Sequence, residues 1–196
     1  MSIRDRETKK VRAMILTALL MALIMVLTFA TKIPVPSTQG YVHLGDAMIF
    51  MAVIILGRRY GTVAAAFGSA MADIVGGYAL YAPVSFLVKG AMAFVLATFL
   101  ARALEKGRAH SMILAGTGMI LAGLVMAAGY YFAESLLYGN FLVPVAEIPM
   151  NILQFVVGIA VSLPLAGTLG KTQAGRDFAY PINRHDDSRR AATAGK

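Results

Sequence analysis

No cysteine and no tryptophan occur in this chain of 196 residues, and only 14% of its residues are charged. Without cysteine there is no disulfide framework and no thiolate metal site, and the redox compartment leaves no mark on the sequence. Soluble domains carry about 25% charged residues, so a chain that is 58% hydrophobic needs lipid as its solvent. The spacings HExxH, GxSxG, GxxxxGK[ST] and GxGxxG are all absent, which removes the zinc-hydrolase, nucleophile-elbow, P-loop and Rossmann chemistries they encode. The three histidines, His43, His110 and His185, fall in three different regions, which argues against a shared metal centre. The chain is therefore not expected to be an enzyme or to carry a cofactor. Any ATP-driven movement of a solute would need an engine from another protein.

Acidic residues are also few, ten against 18 lysines and arginines, for a net charge of +8. That excess alone would suit nucleic acid, but its placement argues against it: the cations sit in short turns and at the two chain ends, not on one patch. Six apolar runs separate them, at about 13–30, 44–56, 62–75, 84–104, 112–132 and 148–169. The first run is about 18 residues long and meets Lys32-Ile33-Pro34 rather than a small-residue cleavage site, so it reads as a retained span and not a signal peptide. The second and third are short for spans and are joined by a tight basic turn, Arg58-Arg59-Tyr60-Gly61. With six crossings, 16 of the 18 cations fall on one side, against Lys32 and Lys89 on the other. The positive-inside rule then puts both termini in the cytoplasm. The expectation is an all-α integral membrane protein, a six-transmembrane-helix bundle over residues 1–170 with a basic cytoplasmic tail at 171–196. It would be a multi-pass protein of a bacterial plasma membrane.

On that topology the outward loops are about 31–43, 76–83 and 133–147, and the irregular, polar chemistry collects there. Two prolines and Ser-Thr-Gln-Gly keep 31–42 from being helical throughout, and its length suits a lid. Ionisable groups inside apolar segments cost about 2.5–3.5 kcal/mol on insertion scales, so they face a partner, a cavity or a ligand. Asp46, at the start of the second run, either caps that helix or binds a ligand. Asp73 and Lys89 either pair with each other or meet a ligand. Tyr41, Tyr78 and Tyr81 flank these charges; they are interfacial rings or a platform for a flat heterocycle. Asn151 and Gln154 are three apart and share a helix face, where amides need a hydrogen-bond partner. Glu147 just before them is a rim residue or a contact, and Tyr130-Tyr131 reads as an interfacial belt. With His43, the candidate substrate-binding set is Tyr41, His43, Asp46, Asp73, Tyr78, Tyr81, Lys89, Asn151 and Gln154.

A basic start, Ala18-x-x-x-Ala22 in the first helix, His43-Leu44-Gly45-Asp46 opening the second, and GSAMADIVGGYALYAPVSFLVKG together resemble a known group. The chain is similar, over about residues 10–170, to the substrate-binding (S) components of energy-coupling factor (ECF) transporters, riboflavin/HmpT-like branch. The resemblance implies a six-helix membrane subunit that captures a vitamin or vitamin precursor from outside. It implies partners too: a transmembrane coupling subunit and two cytoplasmic ATPase subunits, with the Ala18/Ala22 face meeting the coupling subunit. The outer loops would close over the cargo, and the subunit would topple in the bilayer to release it. A small polar ring, pyridoxine-like or hydroxymethylpyrimidine-like, is the expected cargo. The alternative is a stand-alone secondary transporter or channel; such proteins commonly show internal repeats, and none is evident.

Overall fold

In the computed structural model, residues 3–34, 41–104 and 108–172 are described. They form α1 (Ile3–Ala30), a two-residue strand β1 (Ile33–Pro34) and its partner β2 (Tyr41–Val42), then α2 (Gly45–Val75) and α3 (Ala82–Leu104). There follow α4 (Arg108–Tyr138), a 3-10 turn over Val143–Glu147, and α5 (Ile148–Lys171). Five of these helical stretches are long and apolar enough to cross a membrane. The tail expected at 171–196 lies outside the described residues beyond position 172, and so does the 35–40 part of the expected lid.

The second and third apolar runs are one 31-residue segment, α2, that folds back on itself. The reversal is made by a single residue, Gly57, at φ 71° and ψ −167°. Only glycine reaches that backbone region without a Cβ penalty. The turn therefore falls one residue before the expected Arg58–Gly61, and those four residues stay helical. Just past the turn, Gly61 lies against the backbone of Ala52 and Val53; a Cβ on it would sit 2.8 Å from the Val53 Cα. The two arms of the hairpin, 45–56 and 58–75, thus touch closely near their closed end. A straight helix would hold Asp46 and Asp73 about 40 Å apart at 1.5 Å per residue. The hairpin instead returns Asp73 to the level of Asp46, where the Lys89 charge acts on both.

The other boundaries follow from local chemistry. Gly76 and Gly77 (φ 83°) stop α2, and Pro83 in the first turn of α3 suits a helix start, where its missing N–H goes unmissed. The expected 133–147 loop is shorter than the polar residues suggested. α4 continues to Tyr138, with Ser135 Oγ bonding back to the Tyr131 carbonyl at 2.7 Å, and Gly139 (φ 61°) ends it. Glu134 and Ser135 are helical and buried, so their polarity marks a site inside the bundle and not a loop.

The core runs along α2, with Ile24 of α1, Ile49, Phe50 and Val53 of α2, Met92 and Leu96 of α3, Met119 and Met126 of α4, and Phe155 of α5. The outer surface carries exposed Ile15, Leu87, Phe94, Ile120 and Leu163, as expected of side chains solvated by lipid. Methionine, flexible and apolar, serves both inside and outside: Met92 and Met126 are buried, Met14 and Met71 exposed. On this geometry Gly61→Leu should lower stability by about 1–3 kcal/mol, the usual range for overpacking. Thermal unfolding of the detergent-purified variant would measure it, and an unchanged midpoint would show that the arms of α2 can separate without cost.

Candidate functional site

The helix ends on the side of the bundle opposite the Gly57 turn enclose a polar cleft. Its base is an ion pair. Lys89, from the second turn of α3, and Asp46, from the first turn of α2, are both fully buried and meet at 2.5 Å. The second carboxylate oxygen of Asp46 accepts the Gln154 amide of α5 at 2.8 Å. Gln154 in turn accepts the His43 backbone N–H at 2.9 Å, and the Gly45 N–H donates to His43 Nδ1 at 3.0 Å. One connected network thus ties the start of α2 to α3 and α5. Charge-assisted bonds of this kind are short and roughly twice as strong as neutral ones.

Two sequence expectations are corrected here. Asp46 makes no capping bond to the α2 start, because its two oxygens are taken by Lys89 and Gln154. Lys89 pairs with Asp46 and not with Asp73, because the side chain of Asp46 lies directly beside it in the core. The His43 imidazole accepts at Nδ1, so its proton sits on Nε2 as its remaining donor. Burial, and after it the Lys89 charge, push the His43 pKa down to about 3, so this ring is neutral at physiological pH.

Above this base, Tyr41, His43, Asp73, Tyr81, Ser85, Tyr130, Glu134, Glu147, Asn151 and Gln154 line about 330 Å³ of non-protein space, part of it open to solvent. Tyr41 donates its hydroxyl to Asp73. Tyr81 and Tyr138 share a hydrogen bond of 2.5 Å, and Ser85 and Tyr130 one of 2.7 Å. Burial first, then nearby carboxylates and hydrogen bonds, raise the pKa values of Tyr41 and Tyr81 well above the ordinary phenol range, so both phenols stay protonated. Glu134 of α4 faces Glu147 at the end of the 3-10 turn.

Of the nine candidate binding residues, six line the cleft: Tyr41, His43, Asp73, Tyr81, Asn151 and Gln154. Asp46 and Lys89 lie beneath it as the ion pair. Tyr78 stands one layer out, its ring 4.7 Å from that of Tyr41 and 6.4 Å from that of Tyr81, with Lys32 Nζ 4.5 Å above it. Lys32 also donates to the Gly76 carbonyl at 2.9 Å, which ties the β1–β2 segment to the turn between α2 and α3. Three lining residues were not singled out from sequence: Ser85 and Glu134 were passed over, and Tyr130 was assigned to an interfacial belt. The available signal was spacing, since Ser85/Lys89 and Tyr130/Glu134 are each four apart on one helix face. Among the described residues no group of three His, Cys, Asp or Glu side chains could hold a metal ion.

The chain matches the family model described as ECF-type riboflavin transporter, S component, over residues 8–171. It is 36% identical over 149 residues to an uncharacterised protein of Pyrococcus woesei, covering 74% of this chain and 93% of that one. It is 25% identical over 167 residues to the thiamine precursor transporter HmpT of Lactococcus lactis subsp. cremoris (strain MG1363), covering 85% of this chain and 92% of that one. A solved structure reported as that of the S component of a bacterial ECF transporter superposes with a TM-score of 0.63 at 21% identity, over 82% of this chain and 96% of the other. The fold is thus that of an S component.

Removing one member of the buried pair should be costly. Lys89→Met is expected to destabilise by about 3–5 kcal/mol, because it strands a carboxylate in the core. Asp46→Asn/Lys89→Met should recover most of that loss, and a double-mutant cycle by thermal unfolding would test it. Additive losses would mean that the pair is not coupled.

Proposed function

Because the chain belongs to the family of S components of ECF-type riboflavin transporters, a membrane-transport family and not an enzyme family, we propose that the outer cleft is its cargo site. The subunit captures a vitamin or vitamin precursor there and delivers it inward. The observation that carries this reading is the convergence of polar side chains from α2, α3, α4, α5 and β2 on one small cleft, with its base sealed by the Lys89–Asp46 pair. A protein with nothing to bind would fill such a space with apolar side chains instead. The candidate contacts are Tyr41, His43, Asp73, Tyr81, Asn151 and Gln154. Tyr78 lies outside them as a covering ring, and Asp46 and Lys89 position the others from below.

The thiamine precursor named for the HmpT relative, and the polar and aromatic lining of the cleft, favour a compact polar ring, pyridoxine-like or hydroxymethylpyrimidine-like. The two arms of α2 would cross the membrane as a pair, which gives six crossings with both termini in the cytoplasm of a bacterial cell. The distribution of lysine and arginine supports this orientation. Energy would come from a transmembrane coupling subunit and two cytoplasmic ATPase subunits. Ala18 and Ala22 are exposed on α1, opposite the buried Thr17, Leu20, Ile24 and Thr28. Their small side chains leave room for another helix to approach.

Mass spectrometry of small molecules carried through purification should find a vitamin-sized ring; a ligand-free protein that binds none of the candidate rings would refute the reading. Asp73→Asn should weaken cargo capture about tenfold, the loss of one charged hydrogen bond. An unchanged affinity by calorimetry would remove Asp73 from the site. Ala18→Leu/Ala22→Leu should spare capture and impair co-purification with the coupling subunit, and intact uptake by that variant would refute the assignment of this face.

A further inference from the structure

The end of the bundle opposite the cleft carries two arginines that no acid answers. Arg58 and Arg59 follow the Gly57 turn of the α2 hairpin, and both are exposed. Among the described residues the Lys89–Asp46 pair is the only salt bridge, so neither guanidinium has a carboxylate beside it. Each lies over an aromatic ring instead. Arg58 Cζ is 5.5 Å from the centre of the Phe94 ring, and Arg59 Cζ is 5.7 Å from that of Tyr60. A ring face attracts a cation but leaves its N–H donors without acceptors.

The depth of these charges sharpens the problem. At 1.5 Å per residue the arms of the hairpin, 45–56 and 58–75, are about 18 Å and about 27 Å long. Both fall short of the roughly 30 Å of a hydrocarbon core. The 22-residue span of α3, Ala82–Ala103, is long enough to cross it. Phe94 stands near the middle of that span, so the Arg58 guanidinium is held against α3 about 15 Å short of its Leu104 end. A charge at such a depth draws headgroups toward itself and thins the bilayer around it. The wall beside it is apolar: Leu87, Ala91 and Phe94 share one face of α3, with Leu87 69% and Phe94 50% exposed. An occupant of this corner must offer an anion to the arginines and a hydrocarbon chain to the wall.

We propose that Arg58 and Arg59 seat the phosphate of an anionic phospholipid, whose acyl chain runs along the Leu87–Phe94 face of α3. The guanidinium fork matches phosphate oxygens with paired hydrogen bonds. Basic corners between membrane helices suit lipid headgroups. Two cations with no acid beside them favour a headgroup of net negative charge over a zwitterionic one. A soluble anion would meet the charge but leave the apolar face bare. The seat is separate from the cleft and stands whatever cargo the cleft takes.

Native mass spectrometry of the full-length protein, in detergent with phosphatidylglycerol or with phosphatidylcholine of the same chains, tests this. Phosphatidylglycerol should be retained at least about threefold more strongly. Arg58→Gln/Arg59→Gln should bring the two lipids level, and Arg58→Lys/Arg59→Lys should keep the preference. Arg102→Gln, at the exposed cation in the last turn of α3, should leave it unchanged. Thermal midpoints give a second reading: phosphatidylglycerol should raise that of the unmodified protein and not that of the glutamine pair. Equal retention of the two lipids by the unmodified protein would overturn the proposal. So would a preference that survives the glutamine pair, or one that Arg102→Gln lowers as far, which would be the diffuse charge of the whole face. Loss of the coupling subunit from the glutamine pair, with lipid retention intact, would assign the arginines to a protein contact and overturn it too.

Discussion

The arrangement of the cleft end of the bundle depends on one buried ion pair. Lys89 and Asp46 have no contact with water, and each alone would be among the most expensive groups a membrane protein could carry there. Their pairing requires the start of α2 and the second turn of α3 to lie side by side. Gln154 satisfies the remaining oxygen of Asp46, which brings α5 to the same point, and its own carbonyl oxygen holds the backbone at His43. Three helices and the segment that leads into α2 are thereby held in one register. The cleft above them inherits its shape from that register.

The fold-back at Gly57 makes a second contribution of the same kind. A hairpin places the two ends of one 31-residue segment at the same depth, so the acid at its start and the acid at its end serve one site. The division of labour between them follows from their surroundings. Asp46 is enclosed and neutralised by Lys89, so it supports the structure. Asp73, nearer the mouth, is held by the hydroxyl of Tyr41 and keeps one oxygen open. Lys32, placed among the rings of Phe29, Tyr41 and Tyr78, fastens the strand pair to the same end of the hairpin. The two segments that border the mouth therefore share one cation as their common contact.

This distribution suits a subunit that binds and hands over its cargo without transforming it. The polar groups of the cleft are held by their neighbours, Asp73 by the Tyr41 hydroxyl and Asp46 by Lys89 and Gln154. The lipid-facing sides of the helices carry large apolar residues, whereas α1 also exposes small ones, Ala18 and Ala22. Polar chemistry faces the cleft, and the small-residue face of α1 remains exposed on the apolar surface.

The sequence by itself determined the solvent, the helical class and most of the residues that line the cleft. Apolar runs between basic turns admit little else in lipid, where backbone groups must be satisfied within each segment. Ionisable and amide residues stranded in those runs pointed to Asp46, Asp73, Lys89, Asn151 and Gln154 because their burial demands partners. What the sequence could not decide was which partner each would find. Asp73 and Lys89 are 16 positions apart and Asp46 and Lys89 are 43, yet the longer separation makes the pair. Glu134 and Tyr130 read as loop and belt because polarity near a helix end looks alike whether it faces water or a cleft. Only the packing of α4 against α3 and α5 turned those side chains inward. Contacts between helices distant in sequence depend on how their faces fit, and periodicity within one helix carries no record of its neighbours.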